Sequence, residues 1–201
     1  MFALTSLVLW LLRVRGSYEV EEPLSWALAL IALIFAFKGF DILNPVRLAS
    51  PTLIGIVVGF IAHELAHRSV ARMYGMSAHF VAFIPGLLVT FLSGFLPIII
   101  IAPGYVRVVP LYGFWHGRGL LYSVAAGPLT NIIISIVSLV ALNIIGYRYF
   151  FEPVAFVNAW IAFFNLLPIP PLDGSKIFAS NTLVWLVLLI SSIALLVIVW
   201  L

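Results

Sequence analysis

Long apolar runs leave this chain too little polar surface to face water. Residues 24–37, 51–66, 120–145, 154–167 and 183–201 are apolar with few interruptions, and a shorter run covers residues 2–12. Charged residues make up 8% of the 201 residues and hydrophobic ones 64%, where a soluble domain carries roughly 25% charged. A fold with that surface is stable only with lipid around it. Since a helix needs ~20 apolar residues to cross a bilayer, the length allows about six spans joined by short connections. The expectation is an all-α polytopic membrane protein, a single integral domain over residues 1–201 with no room for a soluble module. The run at residues 2–12 is short for a span. RVRGSYEVEE follows it where a signal peptide would need a small-residue cleavage site, which favours a short or tilted first helix.

The few charges carry topological information. The net charge of +3 is too small to suggest a nucleic-acid partner, so no nucleic acid is expected. Basic residues instead mark the cytoplasmic ends of spans. If the runs alternate in direction, Arg13, Arg15, Arg68, Arg72, Arg107, Arg118 and Lys176 fall on one side, against Lys38, Arg47 and Arg148 on the other. This places the protein in the cell membrane as a multi-pass chain, with the end of the 51–66 run towards the cytoplasm.

Residues 80–110 do not fit a helix. FLPIIIIAPGYVRVVP sets β-branched residues between helix-breaking prolines, a pattern that predicts strands or a re-entrant hairpin. Irregular backbone at membrane depth survives only against protein or a water-filled cavity. A small membrane-associated β element is therefore expected beside an aqueous pocket, with an edge to which a substrate could add as a strand.

The chemistry sits at the end of the 51–66 run, in His63-Glu64-Leu65-Ala66-His67. Positions i and i+4 share a helix face, so both imidazoles can reach one ion while Glu64 stands to the side. Two histidines leave room for a third protein ligand and a water, the open arrangement of catalytic zinc. Zinc brings such a water to a pKa of about 7, and a neighbouring carboxylate can take its proton. The same pentapeptide on a soluble helix is often only a set of solvated side chains. Here three ionisable groups within five residues would each cost ~2.5 kcal/mol or more at the centre of a span, and an ion that pairs them removes that cost.

After His67 the chain holds two carboxylates, Glu152 and Asp173. Glu152, beside Arg148, reads as interfacial at the far side of the membrane. Asp173 follows a run that returns to the side of His63 and His67, and three prolines before it and a glycine after it predict a rigid, non-helical backbone. It is the expected third ligand, the alternative being a turn-forming Asp before Gly. Asn131 reads as a residue that glues helices together or supports the site from behind. His79 and His116 read as interfacial, and the aromatic residues near run ends as a membrane-interface belt.

HELAH, then AAGPLTN, then FNLLPIPPLDG resembles the site-2 protease family of intramembrane zinc metalloproteases, over residues 51–176. That resemblance implies one zinc ion held by His63, His67 and Asp173, with Glu64 as general base. It implies that Asn165 holds substrate or the developing oxyanion. The residue's own setting before Pro168 also fits a helix cap. The family's Pro-Gly-Gly-like signature is absent from residues 80–110, and no PDZ-like or nucleotide-binding module accompanies the core. The implied partners are single-span membrane-protein substrates within the lipid bilayer. A metal transporter or sensor would use the same His/Asp cluster without needing Glu64.

Overall fold

The computed structural model of the protein describes residues 21–110 and 117–201. The apolar run at residues 2–12 and His116 lie outside them. Among the described residues the fold is mostly helical, with one two-stranded sheet. In order come α1 (Glu22–Lys38), a 3-10 turn (Gly39–Leu43), the single-turn α2 (Pro45–Leu48), α3 (Pro51–Met73), β1 (Met76–Ala82), α4 (Ile84–Ser93), β2 (Gly104–Pro110), α5 (Gly117–Ile145), α6 (Arg148–Asn165), α7 (Asp173–Ser180) and α8 (Thr182–Trp200). Among the described residues four helices are long and apolar enough to cross a membrane: α1 with the turn after it, α3, α5 and α8. The 154–167 run lies almost wholly in α6, whose 18 residues include Arg148, Glu152, Asn158 and Asn165.

The helices meet through small residues, as expected where lipid is as apolar as the core. On α6, Ala155, Ala159 and Ala162 are fully buried, and α6 packs against both α3 and α5. Hydrogen bonds cross the same seams: Ser135 Oγ of α5 donates to the Ala155 carbonyl at 3.0 Å. The outer faces stay apolar and open; Leu183, Val187, Ile190 and Trp200 of α8 are all exposed, as a lipid-facing helix requires.

A small sheet forms as expected, but its first strand starts at Met76, ahead of the 80–110 segment, and a helix lies inside that segment. β1 and β2 pair antiparallel, Phe80 opposite Val106 and Ala82 opposite Gly104. Between them residues 84–93 are α-helical, contrary to the expectation for residues 80–110. Pro85 sits in the first turn, where a proline costs no hydrogen bond and its fixed φ suits the helix, so it starts α4 rather than breaking it. Residues 98–101 are irregular. They are held where the Trp160 indole donates to the Ile99 carbonyl at 3.2 Å and the Ala102 amide donates to Thr90 Oγ1 at 2.9 Å. A Cβ on Gly86 would lie 1.9 Å from the Ala102 carbonyl oxygen. Gly86→Ala should therefore lower thermal stability in detergent by about 1–3 kcal/mol, the usual cost of overpacking; an unchanged melting curve would refute this close contact.

Rings and one carboxylate fasten the sheet to the helices. Phe80 meets Phe60 of α3 edge-on at 5.5 Å and Trp26 of α1 at 5.0 Å, and Trp26 meets Phe60 at 5.6 Å. Glu22 Oε1 accepts from Arg68 Nη1 at 2.7 Å and from the Phe80 backbone amide at 3.3 Å. That bond caps the outer edge of β1 with a side chain of α1.

Candidate metal centre

Both histidines of HELAH lie on the buried face of α3, with 2% and 5% of their surface exposed. A histidine can present one ring nitrogen to an ion only if the other carries the proton. Here each Nδ1 faces an acceptor on α5. His67 Nδ1 lies 2.7 Å from the Ser123 carbonyl, and His63 Nδ1 lies 2.5 Å from Asn131 Oδ1. Both Nε2 atoms are left as lone pairs, 3.0 Å apart. The Ser123 hydroxyl donates back to the His67 carbonyl at 3.0 Å, which locks the two helices together at the site.

Asp173 completes the set from across the fold. Its Oδ2 lies 3.0 Å from His67 Nε2 and 3.3 Å from His63 Nε2. Lys176, one turn along, stands 3.5 Å from Oδ1 and occupies the other side of the carboxylate. Asp173 is the first residue of α7, not part of a non-helical turn as the flanking prolines and glycine suggested. The physical reason is Gly174. A Cβ there would lie 2.2 Å from the Leu166 carbonyl oxygen, so only glycine lets α7 begin hard against the end of α6. The carboxylate thus sits at a helix N-terminus, where negative charge is favoured. Trp185 of α8 donates to that same Leu166 carbonyl at 2.8 Å and braces the corner.

The donor set fits a metal ion. Three lone-pair-bearing atoms converge with separations of 3.0–3.3 Å, and like partial charges gather so closely only around a cation or shared protons. Ligands ~2.0–2.1 Å from a tetrahedral zinc lie ~3.3 Å apart. A second sign is Glu64, buried with Oε2 lacking any hydrogen-bond partner. Unpartnered buried carboxylate oxygens are rare in a finished core. Glu64 faces a narrow cavity of about 20 Å³, lined also by His67, Asn165, Asp173 and the β2 residues Gly104 to Val106. A space of that size holds about one water molecule.

The structure brings His63, His67 and Asp173 into one cluster and sets Glu64 and Asn165 on the adjoining cavity. Asn165 is the last residue of α6. One of its amide hydrogens goes to the Ile161 carbonyl at 3.0 Å, leaving the other hydrogen and the carbonyl oxygen for the cavity. Asn131 is fully buried on α5 and bonded to His63 and to the Gly59 carbonyl of α3. His79 lies in β1, opposite Arg107, and Glu152 pairs with Arg148; neither joins the cluster. Sequence reasoning missed Ser123 and Gly127, which stand with Asn131 at four-residue intervals on one face of α5. That spacing was visible, but nothing in it said which face meets α3.

Comparison with known proteins agrees with this chemistry. The sequence model of peptidase family M50 matches residues 143–187. The chain is 35% identical over 176 residues, 85% of its length and 89% of the relative's, to "Putative zinc metalloprotease MJ0611" of Methanocaldococcus jannaschii. It is 31% identical over 157 residues, 66% of its length and 69% of the relative's, to "Putative zinc metalloprotease YwhC" of Bacillus subtilis. A third relative, "Zinc metalloprotease MJ0392" of Methanocaldococcus jannaschii, is 27% identical over 79% of this chain and 42% of its own length. No solved structure matches the chain. The long apolar helices make it an integral membrane protein, and its cofactor is one zinc ion. Because the likeness to the archaeal relative runs along most of both sequences, the chain belongs to peptidase family M50, the site-2 protease family of zinc metalloproteases.

Proposed function

We propose that this metalloprotease hydrolyses peptide bonds in or near the transmembrane segments of single-span membrane proteins, the cleavage step of regulated intramembrane proteolysis. The observation that carries the reading is the cavity itself. It joins the His/His/Asp cluster to an unpartnered glutamate and a strand, and it lies among membrane helices. In this reading His63, His67 and Asp173 hold zinc through Nε2, Nε2 and Oδ2. Bound zinc supplies a Lewis acid that polarises the scissile carbonyl and makes a water acidic enough to lose a proton near neutrality. Glu64 takes that proton and passes it to the departing amine nitrogen. Asn165, with one N–H uncommitted, steadies the substrate carbonyl as charge develops on its oxygen.

The substrate segment must be extended, since carbonyls inside a helix are already bonded and shielded. The sheet offers one open edge for it. The Phe80 amide bonds to Glu22 and the Phe83 amide to the Pro103 carbonyl at 3.1 Å. Antiparallel pairs alternate between bonded and non-bonded, so Phe80–Val106 and Ala82–Gly104 are non-bonded pairs. Gly104 and Val106 therefore direct their backbone N–H and C=O away from β1, and both line the cavity. An unwound substrate strand adding there would pass beside Glu64. The basic residues Arg68 and Arg72, at the far end of α3 from Lys38, support a cytoplasm-facing site in the cell membrane.

The test is cleavage of reconstituted single-span substrates by the purified chain, with zinc measured in parallel. A chelator should abolish cleavage and added zinc should restore it. Cleavage that persists after zinc is removed would end the reading. Asn165→Ala should slow cleavage by about 10²–10³-fold while zinc content stays at one per chain. A drop in zinc content would instead make Asn165 part of the metal-holding structure. The uncommitted Glu64 favours hydrolysis over metal transport, since transport gives an unpaired base nothing to do.

A further inference from the structure

A chain of amides continues behind His63, beyond the residues that would hold the ion. Asn131 accepts from His63 through Oδ1 and donates through Nδ2 to two acceptors, the Gly59 carbonyl at 3.0 Å and Asn158 Oδ1 at 2.9 Å. Asn158, fully buried on α6, donates in turn to the Val154 carbonyl at 2.9 Å and the Gly55 carbonyl at 3.5 Å. The polarity of the whole chain is set at its far end. Backbone carbonyls can only accept, so the Asn158 NH2 must face Val154 and Gly55. Its oxygen must then face Asn131, whose NH2 turns towards Asn158 and Gly59. The Asn131 oxygen is left for His63, which must donate from Nδ1. Reversing Asn131 would aim an NH2 at Nδ1 and force the ring proton onto Nε2, the atom that faces His67 and Asp173.

We propose that Asn158 is a positioning residue of the metal centre, fixing through Asn131 the tautomer and ring orientation of His63. It touches neither substrate nor ion. The inference rests on the reading that His63 holds zinc through Nε2. The seam is built to keep the amide in place: a Cβ on Gly59 would lie 2.6 Å from Asn158 Oδ1, so α3 carries a glycine where the Asn158 amide reaches across. Outer partners of metal-bound histidines commonly govern affinity by 10–100-fold.

The experiment measures zinc affinity of the full chain in detergent by competition with a chromophoric chelator. The melting temperature of the zinc-free protein and the visible spectrum of the cobalt-loaded protein are recorded alongside. Asn158→Leu should weaken zinc at least about tenfold and change the cobalt band. Gly59→Ala, which crowds the same amide from the opposite helix, should do the same, and so should the smaller polar Asn158→Ser if the leucine variant fails to fold. Ser135→Ala removes a buried bond from the same helix seam, so it should lower the melting temperature and leave zinc and cobalt unchanged. Wild-type zinc affinity in the Asn158 variants, or equal weakening by Ser135→Ala, would overturn the proposal. His63→Ala separates the two levels: if it retains zinc, the ligand assignment itself is wrong, whereas zinc lost there but kept in Asn158→Leu rejects only the role of Asn158.

Discussion

Glu64→Gln should yield a protein that binds one zinc ion per chain and cleaves about 10²–10⁴-fold more slowly than wild type, the range general-base removal typically costs. The substitution is nearly isosteric, and the metal cluster is His63, His67 and Asp173, with Glu64 outside it. What disappears is basicity. A carboxylate oxygen with no partner can accept a proton from water, and an amide in the same place cannot. Burying the neutral amide is less costly than burying the carboxylate, so the variant should melt no lower than wild type. Zinc by elemental analysis and single-span substrate cleavage together read the outcome. Equal cleavage by both proteins would remove Glu64 as the base, and loss of zinc would make it a ligand.

Which parts of this site were legible in the sequence follows from the range over which each is encoded. HELAH is local: two histidines four apart share a face in any helix, and the surrounding apolar run turned them into a metal site by making three buried charges costly. Asp173 was reachable because a chain this poor in carboxylates offered one other candidate downstream. The backbone around it was misjudged, since the role of Gly174 depends on Leu166, whose carbonyl meets it only after α6 and α7 fold together. Residues 84–93 were misjudged for the reverse reason. Pro85 stands in a first turn, where a proline begins a helix rather than breaking one. Ser123, Gly127 and Asn158 were silent because each gains meaning only from the face of α3 it meets. Asn158 shares a helix face with Asn165 two turns on, yet that spacing describes any packed helix.

Gly127 carries the sharpest structural consequence of that tertiary arrangement. It stands on α5 midway between Ser123 and Asn131, whose oxygens face the Nδ1 atoms of the two imidazoles. A Cβ at Gly127 would lie 2.3 Å from His67 Nε2 and 2.7 Å from His63 Nε2. A methyl group there would collide with the two nitrogens that face the ion, and neither ring can swing aside without giving up its Nδ1 partner. Gly127→Ala should therefore weaken zinc binding at least about 100-fold, beyond the 10–100-fold of an outer-partner mutation, and abolish cleavage with it. The helix itself gains, because alanine in a helix interior is favoured over glycine by about 1 kcal/mol, so loss of zinc would not trace to loss of α5. Gly117→Ala is the control, since a Cβ there meets nothing within 4 Å among the described residues and should leave zinc content and cleavage at wild-type levels. Were Gly127→Ala to bind zinc as tightly as wild type, the ion would have to sit away from the face where His63, His67 and Asp173 converge.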